Sequence, residues 1–376
     1  DGVTLADPLA TDLAGYDGVV VSPGVPINRH PIAGYAKAAG VPLIGDIELF
    51  AQARATLPPH KVVGITGTNG KSTTTALIHH ILKTADIPTT MGGNIGLPIL
   101  MQDALPSGGV YVLELSSYQI DLTHSLACDV AVLTNVTPDH LDRYDGFSDY
   151  AAAKERLFTL QHVDQIAVIA TEDDPSRMIA SRINHRLHRV ASTDVGDQSE
   201  WPSLQGPHNA QNVACAHAVA LALGVSGDVI ASALKTFGGL PHRMERVRER
   251  DGVLFVNDSK ATNPTSTAPA LAAYPVVHWI LGGLAKTDEL DACAPHFSHV
   301  KAAYTIGEAG PMFAKLLAPH MPVTQSVTMD AAVAQAAAAA QPGEAVLLSP
   351  ACASFDQFRD YEARGDAFRA AVEALA

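Results

Sequence analysis

Short apolar runs alternate along the chain with longer stretches in which apolar positions recur every three to four residues. The runs at 18–21, 61–66, 110–115, 130–134, 166–169, 254–257, 277–281, 302–306 and 345–348 predict strands. The stretches at 72–84, 150–160, 209–223, 329–340 and 360–375 predict helices between or after them. Strand–helix alternation of this kind makes βα units and a mostly parallel sheet, so the expected fold class is α/β. No internal repeat and no heptad pattern interrupts it. Two Pro/Gly breaks, ATLPPH at 55–60 and FGGLPH at 237–242, divide the chain into expected domains 1–59, 60–239 and 240–376. The first piece is short for a domain, and the chain starts at Asp1, so an incomplete N-terminal domain is expected.

The sharpest local signal is KVVGITGTNGKSTTT at 61–75, an apolar strand, a Gly-containing loop and then a helix. That is the setting of a phosphate loop: glycines let backbone N–H groups turn toward an anion, and the helix N-terminus adds partial positive charge. Gly67, Thr68, Asn69, Gly70, Lys71, Ser72 and Thr73 are therefore candidate nucleotide ligands. Lys71 has the reach for β/γ-phosphates and the Ser72 hydroxyl suits Mg²⁺. The strict pattern asks for Gly five residues before Gly70, where Ile65 stands. The bland alternative is a strand–helix turn with a capping Ser, and the strand–loop–helix context argues for an ATP-type nucleotide instead.

Other polar clusters sit where predicted strands end. LELSSYQ at 113–119 brings Glu114 there, either as a ligand for a phosphate-bound Mg²⁺ or as a solvated carboxylate. TNVTPDHLDRY at 134–144 gathers Asn135, Asp139, His140 and Asp142 in a loop suited to metal or substrate work. VNDSKATNPTST at 256–267, LGGLAKT at 281–287 and LLSPACASFDQFRDY at 347–361 give three more polar strand ends. Any one alone reads as a turn or a helix cap. Three facing one crevice read as an active-site wall.

Composition narrows the function. Acidic residues outnumber basic ones, 39 to 25, for a net charge of −14, which argues against a nucleic-acid-binding surface. No apolar run reaches the ~20 residues that span a bilayer, so no membrane partner is expected. The four cysteines, Cys128, Cys215, Cys293 and Cys352, form no CxxC pair and read as buried thiols in a reducing cytosol.

Taken together, GITGTNGKST, GGNIGLP (92–98), LELSSYQ, NVTPDHLDRY, GPHNAQN (206–212), GLPHR (239–243), NDSKATN and LSPACASFDQF occur in the order found in the Mur ligase family of peptidoglycan synthesis. They cover nearly the whole chain, and the last two resemble the glutamate-adding member. The resemblance implies a three-domain architecture, with a central P-loop ATPase-like domain and a Rossmann-like C-terminal domain. It implies a cytoplasmic bacterial ligase, expected to be monomeric, with UDP-N-acetylmuramoyl-L-alanine, glutamate and ATP as substrates. ATP would phosphorylate the substrate carboxylate and the glutamate amine would attack the acyl phosphate. By the same likeness Lys71, Glu114, His140 and Lys154 are catalytic. Two Mg²⁺ ions would be held by Ser72, Glu114, His140 and a carbamylated Lys154. Asn212, Arg243 and Asp258 would contact ATP. Asn94 and Ser116 would meet the muramoyl substrate, Lys260 would line the C-terminal domain, and Thr262, Lys286, Ser354 and Tyr361 would receive glutamate. Tyr361 stands where the family often has Phe. The first βα loops of the family, which bind uracil and diphosphate, are absent before Asp1. The later SPG (22–24) and GDIE (45–48) are present, and 192–205 is short for the family.

Two other readings compete. A ligase of the folylpolyglutamate synthase type also adds glutamate, but NDSKATN and SPACASFDQF count against it. A nucleotide-driven switch would have no use for three polar strand ends. The sequence leaves the handedness of the glutamate open between D and L, with D-glutamate expected.

Overall fold

The computed structural model describes residues 3–139 and 141–375. The chain divides into two compact units, Asp1–Gly196 with Gln211–Leu234, and Asp197–Ala210 with Lys235–Ala376.

The first unit opens with β1 (Val19–Val20), α1 (Pro31–Ala38), β2 (Leu43–Ile44) and α2 (Asp46–Ala53), the two strands pairing in parallel. There follow β3 (His60–Thr66), α3 (Lys71–Thr84), β4 (Thr89–Gly93), β5 (Gly109–Glu114), α4 (Ser117–Asp121), β6 (Val130–Leu133), α5 (Phe147–Thr159), β7 (Ile166–Ala170), α6 (Asp174–Arg182), β8 (Arg186–Val190), α7 (Pro207–Ala222, in this unit from Gln211) and α8 (Gly227–Thr236, in this unit to Leu234). Six strands form one parallel sheet in the order β4-β5-β3-β6-β7-β8. One face carries Val62, Tyr111, Leu113, Ala131, Leu133, Ala167 and Ile169, packed with Ile47 and Phe50 of α2 and Tyr150, Leu157 and Phe158 of α5. The intervening Val63, Ile65, Val112, Val132 and Val168 are buried as well. A parallel sheet covered on both faces needs such uninterrupted apolar strands. Connections from β3 leave toward one side and return to the other, so the β3 exit lies at the topological switch point where α/β sheets bind ligands.

In the second unit β9 (Glu245–Arg250), β10 (Val253–Asn257), α9 (Pro264–Ala272), β11 (Val277–Gly282), β12 (Val300–Ile306), α10 (Gly310–Leu317), β13 (Val323–Val327), α11 (Met329–Ala339), β14 (Ala345–Leu348) and α12 (Tyr361–Glu373) succeed one another. The sheet order is β13-β12-β11-β14-β10-β9, parallel except for β9, which pairs antiparallel with β10. Alternate residues split between two cores. Val256, Trp279, Leu281, Ala303 and Leu347 meet α9 and α10 through Leu271, Phe313 and Leu317. Phe255, Ile280, Tyr304, Val346 and Leu348 meet α11 and α12 through Val333, Ala336, Phe368 and Val372.

All nine predicted strands and all five predicted helices form. Five strands were not anticipated, β2, β4, β8, β9 and β13, and each is an edge of its sheet. Edge strands keep a wet side, so RLHRV and ERVRER carry too few apolar residues to announce themselves. All four cysteines are buried free thiols. No helix among the described residues is long and apolar enough to cross a membrane.

Candidate active site

In the first unit, β3 hands over to α3 through Gly67–Gly70, with positive φ at Gly67 (145°) and Gly70 (84°). Both glycines are needed for space. A Cβ on Gly67 would lie 2.0 Å from Thr134 Oγ1, and one on Gly70 would lie 2.3 Å from Asn212 Oδ1. The loop is fastened from behind by the segment that leaves β6. Asn135 O accepts from Thr68 N at 2.9 Å, Asn135 Oδ1 accepts from Asn69 N at 2.8 Å, and Thr134 Oγ1 donates to Asn69 O at 2.6 Å. Gln211 of α7 donates to Thr134 O in turn. The loop is thus a preformed cradle closed by two strand ends and a helix.

Two lysines converge on it. Lys71 Nζ, in the first turn of α3, donates to Gly67 O at 2.9 Å and Thr68 O at 2.7 Å. Lys154 Nζ, from α5, donates to the same Gly67 O at 2.8 Å and lies 4.5 Å above the Tyr150 ring. Lys154 is 2 % exposed. Burial, and then the nearby Lys71 charge, hold its pKa well below the usual lysine range. A buried amine that readily gives up its proton is a nucleophile rather than a fixed cation.

Beside the cradle, Ser72 Oγ donates to Glu114 Oε2. Glu114 closes β5, as the sequence led one to expect of a strand end. Its other oxygen accepts from Asn94 Nδ2 at 2.8 Å, and Asn94 N donates to Glu114 O at 2.8 Å. Ser116 caps α4 through a capping box with Gln119, so its hydroxyl is engaged in holding the helix start. Thr73 lies half-buried in the first turn of α3, and Asn212 Oδ1 accepts from Thr74 Oγ1 at 3.2 Å. His140 lies outside the described residues.

A hydroxyl and a carboxylate oxygen are hard donors, and Mg²⁺ ordinarily takes one or two carboxylates together with phosphate and water oxygens. Ser72 and Glu114 fit that need. No cluster of three or more His, Cys, Asp or Glu side chains suited to a metal occurs among the described residues. A phosphate-bound Mg²⁺ does not require one.

In the second unit the predicted residues gather at the exits of β10, β11 and β14. Asp258 is buried; Ser349 Oγ donates to its Oδ2 at 2.8 Å and Met244 N to its Oδ1 at 3.2 Å. Burial pushes its carboxyl up to about 7, against the pull of the Ser349 hydrogen bond. Arg243, among the residues facing it, lowers it in part. Lys260 Nζ sits 3.6 Å above the Tyr361 ring, a cation–π contact. Ser354 is buried, Thr262 half-buried and Lys286 exposed. The final Asn263 of NDSKATN caps α9 by accepting from Ser266 N, with Pro264 at the first helical position.

Sequence reasoning missed Arg364. It is 1 % exposed, and it donates to Ser259 Oγ (3.0 Å), Ser259 O (2.8 Å) and Ala353 O (3.1 Å), joining the β10 and β14 exits. An Arg on an amphipathic helix reads as solvated, and no local signal distinguishes one that points inward. Tyr150, whose hydroxyl lies 3.1 Å from Thr68 Oγ1, was hidden for the opposite reason, as one more aromatic on an apolar face.

Residues 65–202 match the Mur ligase middle domain and residues 242–352 the Mur ligase glutamate ligase domain. Over 99% of its length the chain is 67% identical to the UDP-N-acetylmuramoylalanine–D-glutamate ligase of Novosphingobium aromaticivorans, 85% of which is covered. The chain belongs to the Mur ligase family. The correspondingly named Mur ligase of Zymomonas mobilis is 60% identical over 99% of this chain and 86% of its own. At the level of fold, the MurF ligase from Thermotoga maritima in complex with ADP superposes with a TM-score of 0.71 at 18% identity, over 99% of this chain and 100% of that one. A bifunctional folylpolyglutamate synthase/dihydrofolate synthase from Yersinia pestis, complexed with AMPPNP and Mn ion, reaches 0.63 at 19% identity, over 86% and 92%. At these identities the likeness shows a shared fold.

Proposed function

We propose that this Mur ligase joins D-glutamate to UDP-N-acetylmuramoyl-L-alanine in peptidoglycan precursor synthesis, with ATP as co-substrate. The observation that carries the reaction type is the phosphate cradle at the switch point, with Lys71 and Lys154 converging on Gly67 O and Ser72 meeting Glu114. The substrate follows the D-glutamate ligases to which the chain is 60–67% identical. The L-glutamate and folylpolyglutamate readings have no such relative among them.

In this reading the γ-phosphoryl group passes from ATP to the alanine carboxylate, releasing ADP, and the neutral glutamate amine attacks the carbonyl carbon of the acyl phosphate, its nitrogen giving up a proton to solvent. The tetrahedral species then expels phosphate to leave an amide. The protein has little covalent work to do; it positions the partners and neutralises charge. Loop amides of Gly67–Thr73 and Lys71 would hold the phosphates, with Asn212, Arg243 and Asp258 on the remainder of ATP. Ser72 and Glu114 would hold one Mg²⁺, with His140 and Lys154 serving a second. Mg²⁺ supplies charge neutralisation at the transferring phosphoryl group. The depressed Lys154 pKa suits carbamylation: the neutral amine adds to CO₂, loses a proton, and becomes an oxygen donor. Asn94 and Ser116 would meet the muramoyl-alanine end. Thr262, Lys286, Ser354 and Tyr361 would receive glutamate, with Lys260 beside them. Residues 1–59 would hold the UDP-linked substrate, 60–239 ATP and 240–376 glutamate.

Phosphate release from ATP, Mg²⁺ and UDP-N-acetylmuramoyl-L-alanine, with D- or L-glutamate supplied separately, tests the proposal. Release that requires D-glutamate is expected. Release with L-glutamate alone, or with neither, refutes the substrate assignment.

A further inference from the structure

Within the first unit, Arg143 makes contacts that the phosphate site does not account for. Its guanidinium donates to three successive carbonyls of one turn: Pro23 O at 3.3 Å, Gly24 O at 3.2 Å and Val25 O at 2.9 Å. The preceding residue answers in kind, since Asp142 O accepts from Asn28 Nδ2 at 3.2 Å and Arg29 Nη2 at 2.7 Å. Five hydrogen bonds thus tie 23–29 to the loop that follows β6. The guanidinium carbon itself lies 4.1 Å from the centroid of the Tyr118 ring, over its face. From there a ladder of rings runs inward: Tyr118 stacks on Tyr144 (6.2 Å), Tyr144 meets Tyr150 (5.6 Å), and Tyr150 reaches Thr68 of the phosphate loop.

The turn that Arg143 grips has a directional backbone. In a trans peptide, C=O and N–H point oppositely. Of the three peptide groups whose oxygens face the guanidinium, one has its N–H bonded within the turn, Val25 N to Ser22 O at 2.9 Å. Another leads into Pro26, which has none. The third leaves the Gly24 N–H directed away from Arg143, at an exposed residue where a Cβ would meet nothing closer than Ser22 Oγ at 3.8 Å. An amide presented at an open glycine suits an anionic group of a ligand.

We propose that Arg143 is a positioning residue: it sets the 22–25 turn to receive the nucleotide-linked substrate. The substrate half of this rests on the function proposed above. In the full-length protein, Arg143→Ala should raise the KM for UDP-N-acetylmuramoyl-L-alanine at least about tenfold, the scale of one lost charge-assisted hydrogen bond. The Kd for ADP should stay at the wild-type value. Arg143→Lys, which keeps the charge without the fork, should recover only part of the loss. Hydrogen exchange in the ligand-free protein should quicken across 22–30 in Arg143→Ala, whichever substrate the protein uses. Unchanged exchange in that segment, or a KM equal to wild type, overturns the proposal. So does a parallel loss of ADP affinity and melting temperature, which marks a merely structural role. If the wild type ignores the UDP-linked substrate while exchange quickens as expected, the function proposed above falls and the role of Arg143 in ordering the turn stands.

Discussion

Asp258→Asn isolates the effect of burying a carboxyl in the second unit. An Asp in the unfolded chain titrates near its ordinary value of 3.8, whereas burial among Ser349, Met244 and the β10 exit moves the folded group up to about 7. Between those values the folded chain holds a proton that the unfolded chain has released. Stability is therefore full below the lower value and falls as pH rises toward the upper one. At about 1.4 kcal/mol per pH unit, the loss between pH 5 and pH 8 is about 3 kcal/mol. Asn has the same shape, keeps an oxygen for Met244 N and does not titrate, so its variant should lack this slope. Both tryptophans, Trp201 and Trp279, lie in the second unit, and their fluorescence reports its unfolding in urea. The expected result is a variant close to wild type at pH 5 and more stable by about 3 kcal/mol at pH 8. Parallel pH profiles for the two proteins refute the reasoning.

Three further outcomes are expected. Gly70→Ala, forced to φ 84° with its Cβ on Asn212, should destabilise the first unit by about 1–3 kcal/mol and weaken ADP binding; a calorimetric melt at the wild-type temperature sinks this. Glu114→Gln, which removes the carboxylate that meets Ser72, should raise the Mg²⁺ concentration for half-maximal phosphate release about tenfold or more while leaving the melting temperature near wild type; an unchanged Mg²⁺ requirement counts against Glu114 as a metal ligand. In CO₂-free buffer phosphate release should fall and bicarbonate should restore it, an effect that Lys154→Ala abolishes along with most of the activity; indifference of the wild type to CO₂ excludes carbamylation.

The parts of this molecule that a reader of the sequence can find are those set by neighbours along the chain. Central strands such as β6 (VAVL) and β14 (AVLL) are buried on both faces and declare themselves by composition. The phosphate loop declares itself because its glycines, its Lys and its helix start are contiguous. β8 and β13 do not, since half of each faces water and pairing on one side supplies what hydrophobicity does not. The same division runs through the site. Glu114 was found because a strand end is a local property. Arg364 and Arg143 were not, because Ser259 and the 23–25 carbonyls that they hold lie 105 and about 120 residues away, and a guanidinium that caps distant carbonyls is spelled like one that dangles in solvent.

The placement of the four thiols gives the protein a built-in clock for its own breathing. Cys128 and Cys215 belong to the first unit, Cys293 and Cys352 to the second, and burial pushes each thiol up to about 12. Reaction with a thiol-specific reagent must wait for the surrounding structure to part, so each labelling rate times an opening event in a known half of the chain. Cys352 lies within SPACAS, between Ser349, which holds Asp258, and Ser354. At the proposed glutamate site, binding that closes this loop should slow the labelling of Cys352 while leaving Cys128 at its former pace, and the wild-type sequence reports occupancy without an introduced cysteine.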